Sequence, residues 1–306
     1  MAVVIFVGCA MTAPTRGSAI ADLLARKRPK APARVSAPVS PSKSAAQPEA
    51  GWLLQLTDEA RERQQALWES PRRHFRGSSA GDPCSRSLTL GALGHCVPYE
   101  ARVLRIFETG KAIERVNVES LRLANLLVEE SGQLEGRHVD PPIVCHIDAL
   151  VRRPDGGRVY LAEIKSIKEE LFKKLPPEHG PTLAGESPLL KTHRGYIVQV
   201  NTYAFAPEVD CEEAVLLFES KNEQRQKTYW FKRDEQLLEE TLAVHRVAAP
   251  HILADPQRVA PVPAERDPWG GDPVCVGCKR RYLCRKLPRE GASYEETRQV
   301  DAKMRG

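Results

Sequence analysis

The chain has 306 residues, of which 42% are hydrophobic and 28% charged, and a formal net charge of +5. Residues 1–50 carry the whole positive excess, so residues 51–306 are neutral and can hold a polyanion only through local basic patches. The 8 cysteines are too few for a disulfide scaffold in a chain this long and favour a reducing compartment. No apolar run approaches the ~20 residues of a membrane span. We expect a cytoplasmic globular protein of one large or two small domains.

The first fifty residues form a separate region by composition. They are rich in Ala, Pro, Ser, Lys and Arg and cannot bury enough apolar surface to order themselves, so we predict a disordered basic tail over residues 1–50. The opening run ends at Cys9 like a lipoprotein signal, but it is short and lacks basic residues in front. Secretion is therefore not expected, and Met11 is an alternative start.

Periodicity in the remaining chain predicts alternating helices and strands. Thr57 followed by acidic residues predicts a helix start, which gives a lead helix and linker over residues 51–77. The predicted elements are helices over 57–70 and 98–130 (the second broken near Gly110), strands over 143–151 and 158–166, a mobile loop over 173–194, a helix over 195–205, strands near 213–219 and 226–232, and a helix near 234–249.

Two of these strands carry polar side chains that could share a cleft. Asp148 lies on the polar face of the first strand, and Glu163 and Lys165 share one face of the second. Hard carboxylates can hold Mg²⁺ or Mn²⁺ for phosphodiester cleavage, and a nearby lysine can orient the attacking water. Taken alone, however, a Glu-x-Lys pair is more often surface charge, and His146 beside Asp148 is more simply structural.

Four of the cysteines fall into two groups that are far apart in the sequence. Cys84 stands alone, whereas Cys275, Cys278 and Cys284 follow as C-x2-C-x5-C. This spacing suits zinc or an iron–sulfur cluster and does not decide between them. The remaining cysteines of the folded part, Cys96, Cys145 and Cys211, lack metal spacing and are predicted core residues. A basic ridge for phosphate is predicted around the trio, from Lys279, Arg280, Arg281, Arg285 and Lys286.

The order of these motifs carries a resemblance. Gly110-x3-Glu114, His-Ile-Asp at Asp148, Glu163-Ile164-Lys165, Gln199-x3-Tyr203 and the C-x2-C-x5-C motif with Cys84 upstream resemble the RecB-like branch of the PD-(D/E)XK nucleases. Within that branch, the pattern is similar to the iron–sulfur exonucleases related to the CRISPR-associated adaptation nuclease, which occur in bacteria, archaea and phages. One departure is Glu114, where the family often has His; Glu is also a ligand for hard cations.

The resemblance covers roughly residues 80–290 and implies an α/β fold of the PD-(D/E)XK type. The implied core is a central mixed sheet flanked by helices, with a nuclease domain over 78–290, a C-terminal tail over 291–306, and a four-cysteine cluster joining the two ends. The implied metal ligands are Glu114, Asp148, Glu163 and the Ile164 carbonyl, with Lys165, Gln199 and Tyr203 completing the catalytic set. The implied ligands of a 4Fe-4S cluster are Cys84, Cys275, Cys278 and Cys284.

The function implied is a Mg²⁺- or Mn²⁺-dependent DNA exonuclease. It would act on linear ends or single strands during recombination, repair or CRISPR adaptation, with proteins of those processes as possible partners. Two alternatives belong to other classes: a zinc-stapled nucleic-acid-binding protein without chemistry, and a non-catalytic scaffold subunit of a helicase–nuclease. The intact set of Asp148, Glu163 and Lys165 on matching strand faces argues against both.

Overall fold

The computed structural model describes residues 51–65, 68–129 and 134–305. The chain divides into the units Met1–Ala50 and Gly51–Gly306, and every described residue belongs to the second. The predicted disordered tail over 1–50 lies outside the described residues.

The described elements alternate between strands and helices. In chain order the strands are β1 (Phe75–Arg76), β2 (Leu127–Glu129), β3 (Glu135–His138), β4 (Ile143–His146), β5 (Ala149–Arg152), β6 (Val159–Ile167), β7 (His179–Leu183), β8 (Glu213–Ser220), β9 (Gln226–Lys232), β10 (Arg258–Val259) and β11 (Ala292–Ser293). The helices are α1 (Trp52–Gln64), α2 (Ser85–Ala92), α3 (Ala101–Leu123), α4 (Glu169–Phe172), α5 (Leu190–Ala204), α6 (Glu235–Leu253), α7 (Pro273–Gly277), α8 (Arg281–Cys284) and α9 (Tyr294–Arg305).

A six-stranded mixed sheet forms the centre of this unit, in the order β2-β5-β6-β8-β9-β7. The β6–β8 and β7–β9 pairs are parallel, whereas β2–β5, β5–β6 and β8–β9 are antiparallel. Alternate residues of β6 face opposite sides: Leu161 packs with the α5 residues Ile197 and Val200, while Ala162 belongs to a cluster that includes Leu121 of α3. Helices therefore cover both faces of the sheet, and the predicted α/β arrangement with a central mixed sheet is confirmed.

The predicted strand over 143–151 is in fact two strands in two sheets. β4 belongs to a three-stranded sheet of order β1-β4-β3, and β5 to the central sheet. Ile143, Val144 and Cys145 are all buried, so β4 lacks the exposed face that strict alternation predicts. The break falls at Ile147, whose N–H donates to the carbonyl of Leu134, and it leaves Asp148 immediately before β5.

Several predicted boundaries move. α1 begins at Trp52 and ends at Gln64, earlier than the predicted 57–70, and α3 runs through Gly110 without a break. The predicted loop over 173–194 contains β7, an edge strand that tolerates Pro181 because one of its sides needs no ladder partner.

The two ends of the described unit meet in a second apolar cluster. Leu90 and Leu93 near α2 pack with Val259, Leu283 and Leu287 from the C-terminal part. The segment 291–306, expected as a tail, contains α9, in which Thr297 and Asp301 are buried. Among the described residues, none of the helices is both long and apolar enough to cross a membrane.

Candidate active site and cysteine cavity

The hairpin of β5 and β6 brings two carboxylates side by side. Ala149 pairs with Ala162 in the antiparallel register, so Asp148, one residue before, lies opposite Glu163. Asp148 Oδ2 accepts a hydrogen bond of 2.8 Å from the N–H of Ile164. The backbone of β6 thus holds the carboxylate of Asp148, which immediately precedes β5.

Glu163 is 1% exposed, and its two carboxylate oxygens have different surroundings. Oε1 accepts from the ammonium of Lys165 and from Gln199 Nε2, the latter at 2.6 Å. Gln199 Nε2 also lies 2.9 Å from the hydroxyl oxygen of Tyr203. Oε2 is buried and has no hydrogen-bond partner. Because an unpartnered buried carboxylate oxygen is costly, this atom is suited to a cation.

A cleft of about 420 Å³ opens beside these carboxylates. Its wall includes Glu114 of α3, Ile164 and Lys165, so the cleft joins the helix to the end of the sheet. The structure therefore brings Asp148, Glu163, Lys165, Gln199 and Tyr203 into one network and places Glu114 and Ile164 on the adjoining cleft. His146 is elsewhere: its Nδ1 lies 3.8 Å from a carboxylate oxygen of Glu135 at an exposed position.

The charges of this site are out of balance. Burial raises the pKa of Asp148, and burial, reinforced by Asp148 and Glu114, raises the pKa of Glu163 to about 8. Burial also raises the pKa of Glu114, with a further contribution from Asp148. Burial alone would lower the pKa of Lys165, but the carboxylates of Glu163 and Asp148 raise it. One ammonium thus faces a surplus of carboxylates, which resist ionising together.

This donor set fits a hard divalent cation. Asp148, Glu163 Oε2, Glu114 and the Ile164 carbonyl are the oxygens that could hold it. Throughout residues 51–65, 68–129 and 134–305, however, no group of three or more His, Cys, Asp or Glu side chains is arranged as a metal site. That finding covers both the carboxylates and the cysteines.

The four predicted cluster cysteines, Cys84, Cys275, Cys278 and Cys284, line a single cavity of about 670 Å³. Cys84 immediately precedes α2, Cys275 lies in α7, Cys278 follows it, and Cys284 ends α8. Burial raises the pKa of Cys84 and of Cys275 to about 11. The pKa of Cys284 is also raised by burial, although Arg86 opposes the change. These thiols are therefore neutral near neutral pH unless a cation draws off their protons.

The side chains of Arg86, Arg266 and Arg280 are among those that line the same cavity. Arg86 is 1% exposed, and its Nη1 donates to the carbonyl of Ala260 at 3.1 Å and to that of Arg289 at 3.4 Å. Arg86 Nη2 lies 3.5 Å from the carbonyl of Cys284, and the Nε of Arg86 is buried without a hydrogen-bond partner. The Nε atoms of Arg266 and Arg280 are also buried without a partner, although these two side chains lie 3.9 and 3.8 Å from the carboxylates of Asp272 and Asp82. The fully buried charge of Arg86 requires a negative counterpart. A metal centre held by thiolates supplies one, so the residues fit such a group.

The predicted basic ridge is only partly exposed. Arg280 donates to Ser87 Oγ at 3.1 Å, and Arg281 donates to the carbonyls of Pro268 and Gly270 at 2.8 and 2.7 Å. Arg281 thus pairs with backbone carbonyls next to the cysteine segment, and Arg280 connects this segment to α2. Arg280 and Arg281 thus have partners within the protein, and phosphate binding by this ridge stays a prediction. Lys279, Arg285 and Lys286 are exposed.

Sequence reasoning missed several residues of these sites. Arg86 stands two residues after Cys84, and a charged residue flanking a candidate ligand was the available signal. Phe107 also lines the carboxylate cleft. It could have been found because Phe107, Gly110 and Glu114 follow the i, i+3, i+7 spacing of one helix face. Gly77 had no local signal; a Cβ there would lie 2.3 Å from the ring of Tyr203.

Comparisons with known proteins give structural likenesses only. No family model and no curated protein matches the chain. Among solved structures, the chain is similar to SSO0001 at 12% identity and a TM-score of 0.42, over 78% of this chain and 97% of that one. It is also similar to an alkaline exonuclease, LHK-Exo, from Laribacter hongkongensis, at 14% identity and a TM-score of 0.41, over 66% and 93% of the two chains.

A second structure of LHK-Exo, in complex with dAMP, is similar at 15% identity and a TM-score of 0.41, over 60% of this chain and 89% of that one. At such identities and scores, the likeness assigns no activity. The chemistry of the carboxylate cleft and of the cysteine cavity is therefore the basis for assigning a function.

Proposed function

We propose that this chain is a Mg²⁺- or Mn²⁺-dependent DNA exonuclease of the RecB-like PD-(D/E)XK type, acting at DNA ends in recombination, repair or CRISPR adaptation. One observation carries the proposal: Glu163 is buried with Oε2 unpartnered, directly opposite Asp148 and in contact with Lys165. Buried carboxylate oxygens are normally hydrogen-bonded, and an oxygen left without a partner is available to a bound cation.

Each residue has a distinct role in this proposal. Asp148, Glu163, Glu114 and the Ile164 carbonyl hold the divalent ion, which when bound polarises the phosphodiester and favours ionisation of water. Lys165 orients the attacking water or stabilises the charge that develops on the phosphate. Gln199 acts as a positioning residue through its bond to Glu163 Oε1, and Tyr203 fixes the amide of Gln199.

The cysteine cavity supplies the second half of the proposal. Cys84, Cys275, Cys278 and Cys284 hold a 4Fe-4S cluster, whose thiolates are acceptors for the buried donors of Arg86, Arg266 and Arg280. Its role is structural, because it joins Cys84 in the N-terminal part of the unit to a segment nearly two hundred residues later. Tetrahedral zinc is the competing occupant.

Replacing the carboxylates tests the catalytic proposal. Asp148→Ala or Glu163→Ala should reduce Mg²⁺- or Mn²⁺-dependent degradation of linear DNA below detection and leave DNA binding largely unchanged, because these side chains hold the metal and not the phosphate. The measurement is release of labelled nucleotides from end-labelled DNA, with binding measured separately in Ca²⁺.

Asp155→Ala provides a matched control, since Asp155 lies in the turn of the same hairpin and is 58% exposed. Its activity should equal that of the parent. Undiminished cleavage by both Asp148→Ala and Glu163→Ala would rule out this site as the nuclease centre.

Visible absorption tests the identity of the centre in the cysteine cavity. Anaerobically purified protein should be brown, with the broad absorption of thiolate-bound iron–sulfur centres. Colourless protein containing stoichiometric zinc would show that zinc, and not an iron–sulfur cluster, occupies the cysteine cavity. The proposal for the carboxylates would be unaffected.

A further inference from the structure

An exposed aromatic ring lies in the carboxylate cleft. Phe107 of α3 is 42% exposed and lines the same cleft as Glu114, Ile164 and Lys165. It lies two turns before Glu114 on one face of the helix, about 10 Å along its axis. A stacked nucleic-acid strand advances about 3.4 Å per nucleotide, so this distance spans a few nucleotides.

The ring is held in place from outside the cleft. Tyr99 meets Phe107 edge to face, with the ring centroids 5.1 Å apart and the planes at 90°. Lys279 of the cysteine segment lies 5.4 Å from the centroid of Tyr99, and its Nζ is 3.4 Å from the hydroxyl oxygen. The contacts thus connect the cysteine segment to the cleft through two aromatic rings. They orient Phe107 without burying it.

Basic side chains accompany the ring. Lys168 and Lys221 line the cleft together with Phe107 and Lys165. Lys168 is exposed, and Lys221 is anchored by a 3.0 Å hydrogen bond from Nζ to the carbonyl of Ile106. Leu171, which is 46% exposed, adds apolar surface to the same wall. Exposed apolar rings beside lysines are the combination with which proteins bind single strands, the rings taking bases and the ammonium groups taking phosphates.

We propose that the cleft takes an unpaired DNA end, with one base near the scissile phosphodiester stacked on Phe107 and with Lys168 and Lys221 against the backbone. The inference rests on the proposed nuclease function and assigns it a base-stacking residue, Phe107. A base within a duplex has both faces covered by its neighbours, so only an unpaired or flipped base can stack on a side chain. The cleft therefore selects single-stranded ends over blunt duplex ends.

Binding of labelled oligo(dT) and of a blunt duplex, measured in Ca²⁺, tests the stack. Phe107→Ala should weaken binding of the single strand about tenfold, as expected for loss of one stacked base, and change duplex binding less than about twofold. Phe107→Leu retains an apolar side chain against Tyr99 and should give a similar loss without affecting the fold. Phe107→Trp keeps an aromatic ring and should bind the single strand as the parent does.

The matched control is Val116→Ala, because Val116 lies on the same helix, is 64% exposed and does not line the cleft. It should bind both DNAs like the parent. Thermal unfolding of each variant identifies any loss due to misfolding. Parent-like single-strand binding by Phe107→Ala and Phe107→Leu would overturn the inference.

Removing the base provides an independent test. An abasic nucleotide at the stacked position, found by scanning the terminal nucleotides one at a time, should weaken binding by the parent about tenfold. Phe107→Leu should bind the same abasic strand no more weakly than it binds the intact strand, because the two changes remove the same interaction. Losses that multiply at every position would contradict the stack.

Failure of this inference can be told apart from failure of the proposed function. The binding cycle requires no cleavage, so a parent that degrades no DNA but shows the non-additive loss would disprove the nuclease and retain the single-strand cleft. A parent that degrades DNA, with a Phe107→Leu variant equal to it on single-stranded ends, would retain the nuclease and disprove the stack.

Discussion

The carboxylate cleft and the cysteine cavity have opposite charge imbalances. Beside the cleft, Asp148 and Glu163 are buried next to one lysine, and Glu163 Oε2 has no partner. In the cavity the thiols favour their neutral form, while Arg86 is buried against backbone carbonyls with its Nε unpartnered. The first region is therefore suited to a cation and the second to an anionic group.

This contrast shows how two cofactor sites can be recognised from one electrostatic rule. Burying a charge costs free energy unless a partner compensates it, so a surplus of one sign marks the sign of the missing partner. A divalent cation compensates the excess of carboxylates in the first region. A metal centre bound by thiolates carries net negative charge and compensates the buried arginine in the second.

Removal of the ammonium from the cleft has the largest expected effect on rate. Lys165→Ala should lower kcat on linear DNA by about 10²–10⁴-fold, the usual contribution of a group that handles protons or developing charge. Mg²⁺ affinity should not fall, because the variant leaves the carboxylates and removes a competing positive charge. Single-turnover rates and Mg²⁺ titrations measure the two effects.

Lys232→Ala, at an exposed position in β9, is the control and should behave as the parent. A kcat for Lys165→Ala within twofold of the parent would remove this lysine from the mechanism. A large loss of Mg²⁺ affinity would instead make its role structural.

Removal of a thiol from the cavity should mainly affect stability. Cys278→Ser should lose the visible absorption of the centre and lower the Tm by roughly 5–15 °C, because a few kcal/mol of folding free energy come with the bound metal. Cys96→Ser serves as the control, since Cys96 does not line the cysteine cavity. Retention of both colour and Tm in Cys278→Ser would show that this thiol is not a ligand.

Replacement of the buried guanidinium of Arg86 should change the free energy of unfolding by different amounts in the loaded and the metal-free protein. Arg86→Gln should lower the free energy of unfolding of the loaded protein by about 2 kcal/mol, the scale of a charged hydrogen bond. In the metal-free protein the loss should be smaller, because the variant also removes an uncompensated buried charge. Denaturant unfolding of anaerobic and chelator-treated samples compares the states. An equal change in both would mean that Arg86 serves the backbone carbonyls alone.

A separate effect concerns the pH dependence of stability. Burial raises the pKa of Glu163 from 4.5 to about 8. Because the folded-state pKa is the higher one, the stabilisation is complete below the unfolded pKa and is lost as the pH rises through the folded pKa.

The Tm of the metal-free parent should therefore fall between about pH 5 and pH 8 relative to that of Glu163→Gln. Glu170→Gln, at an exposed position, should follow the parent. Superimposable pH profiles for the parent and Glu163→Gln would show that Glu163 ionises at an ordinary pH.

Local rules explain which part of the site could be predicted. The period of two residues in a strand places Glu163 and Lys165 on one face, and the four-residue spacing of a helix places Gln199 and Tyr203 on one side. The alternation over 143–151 was misleading because β4 is buried on both faces, which no period reports.

The amino-acid sequence by itself determined the order of the polar motifs, the cysteine spacing and the mixed α/β succession of elements, because these follow from neighbours a few residues apart. Only the tertiary structure decided which buried atoms lack partners and which basic residues face inward. Glu163 meets Gln199 across 36 residues, and Arg86 meets the carbonyl of Ala260 across 174. Burial and pairing at such separations depend on how the whole unit closes, so the sign of each charge imbalance emerges only in the folded protein.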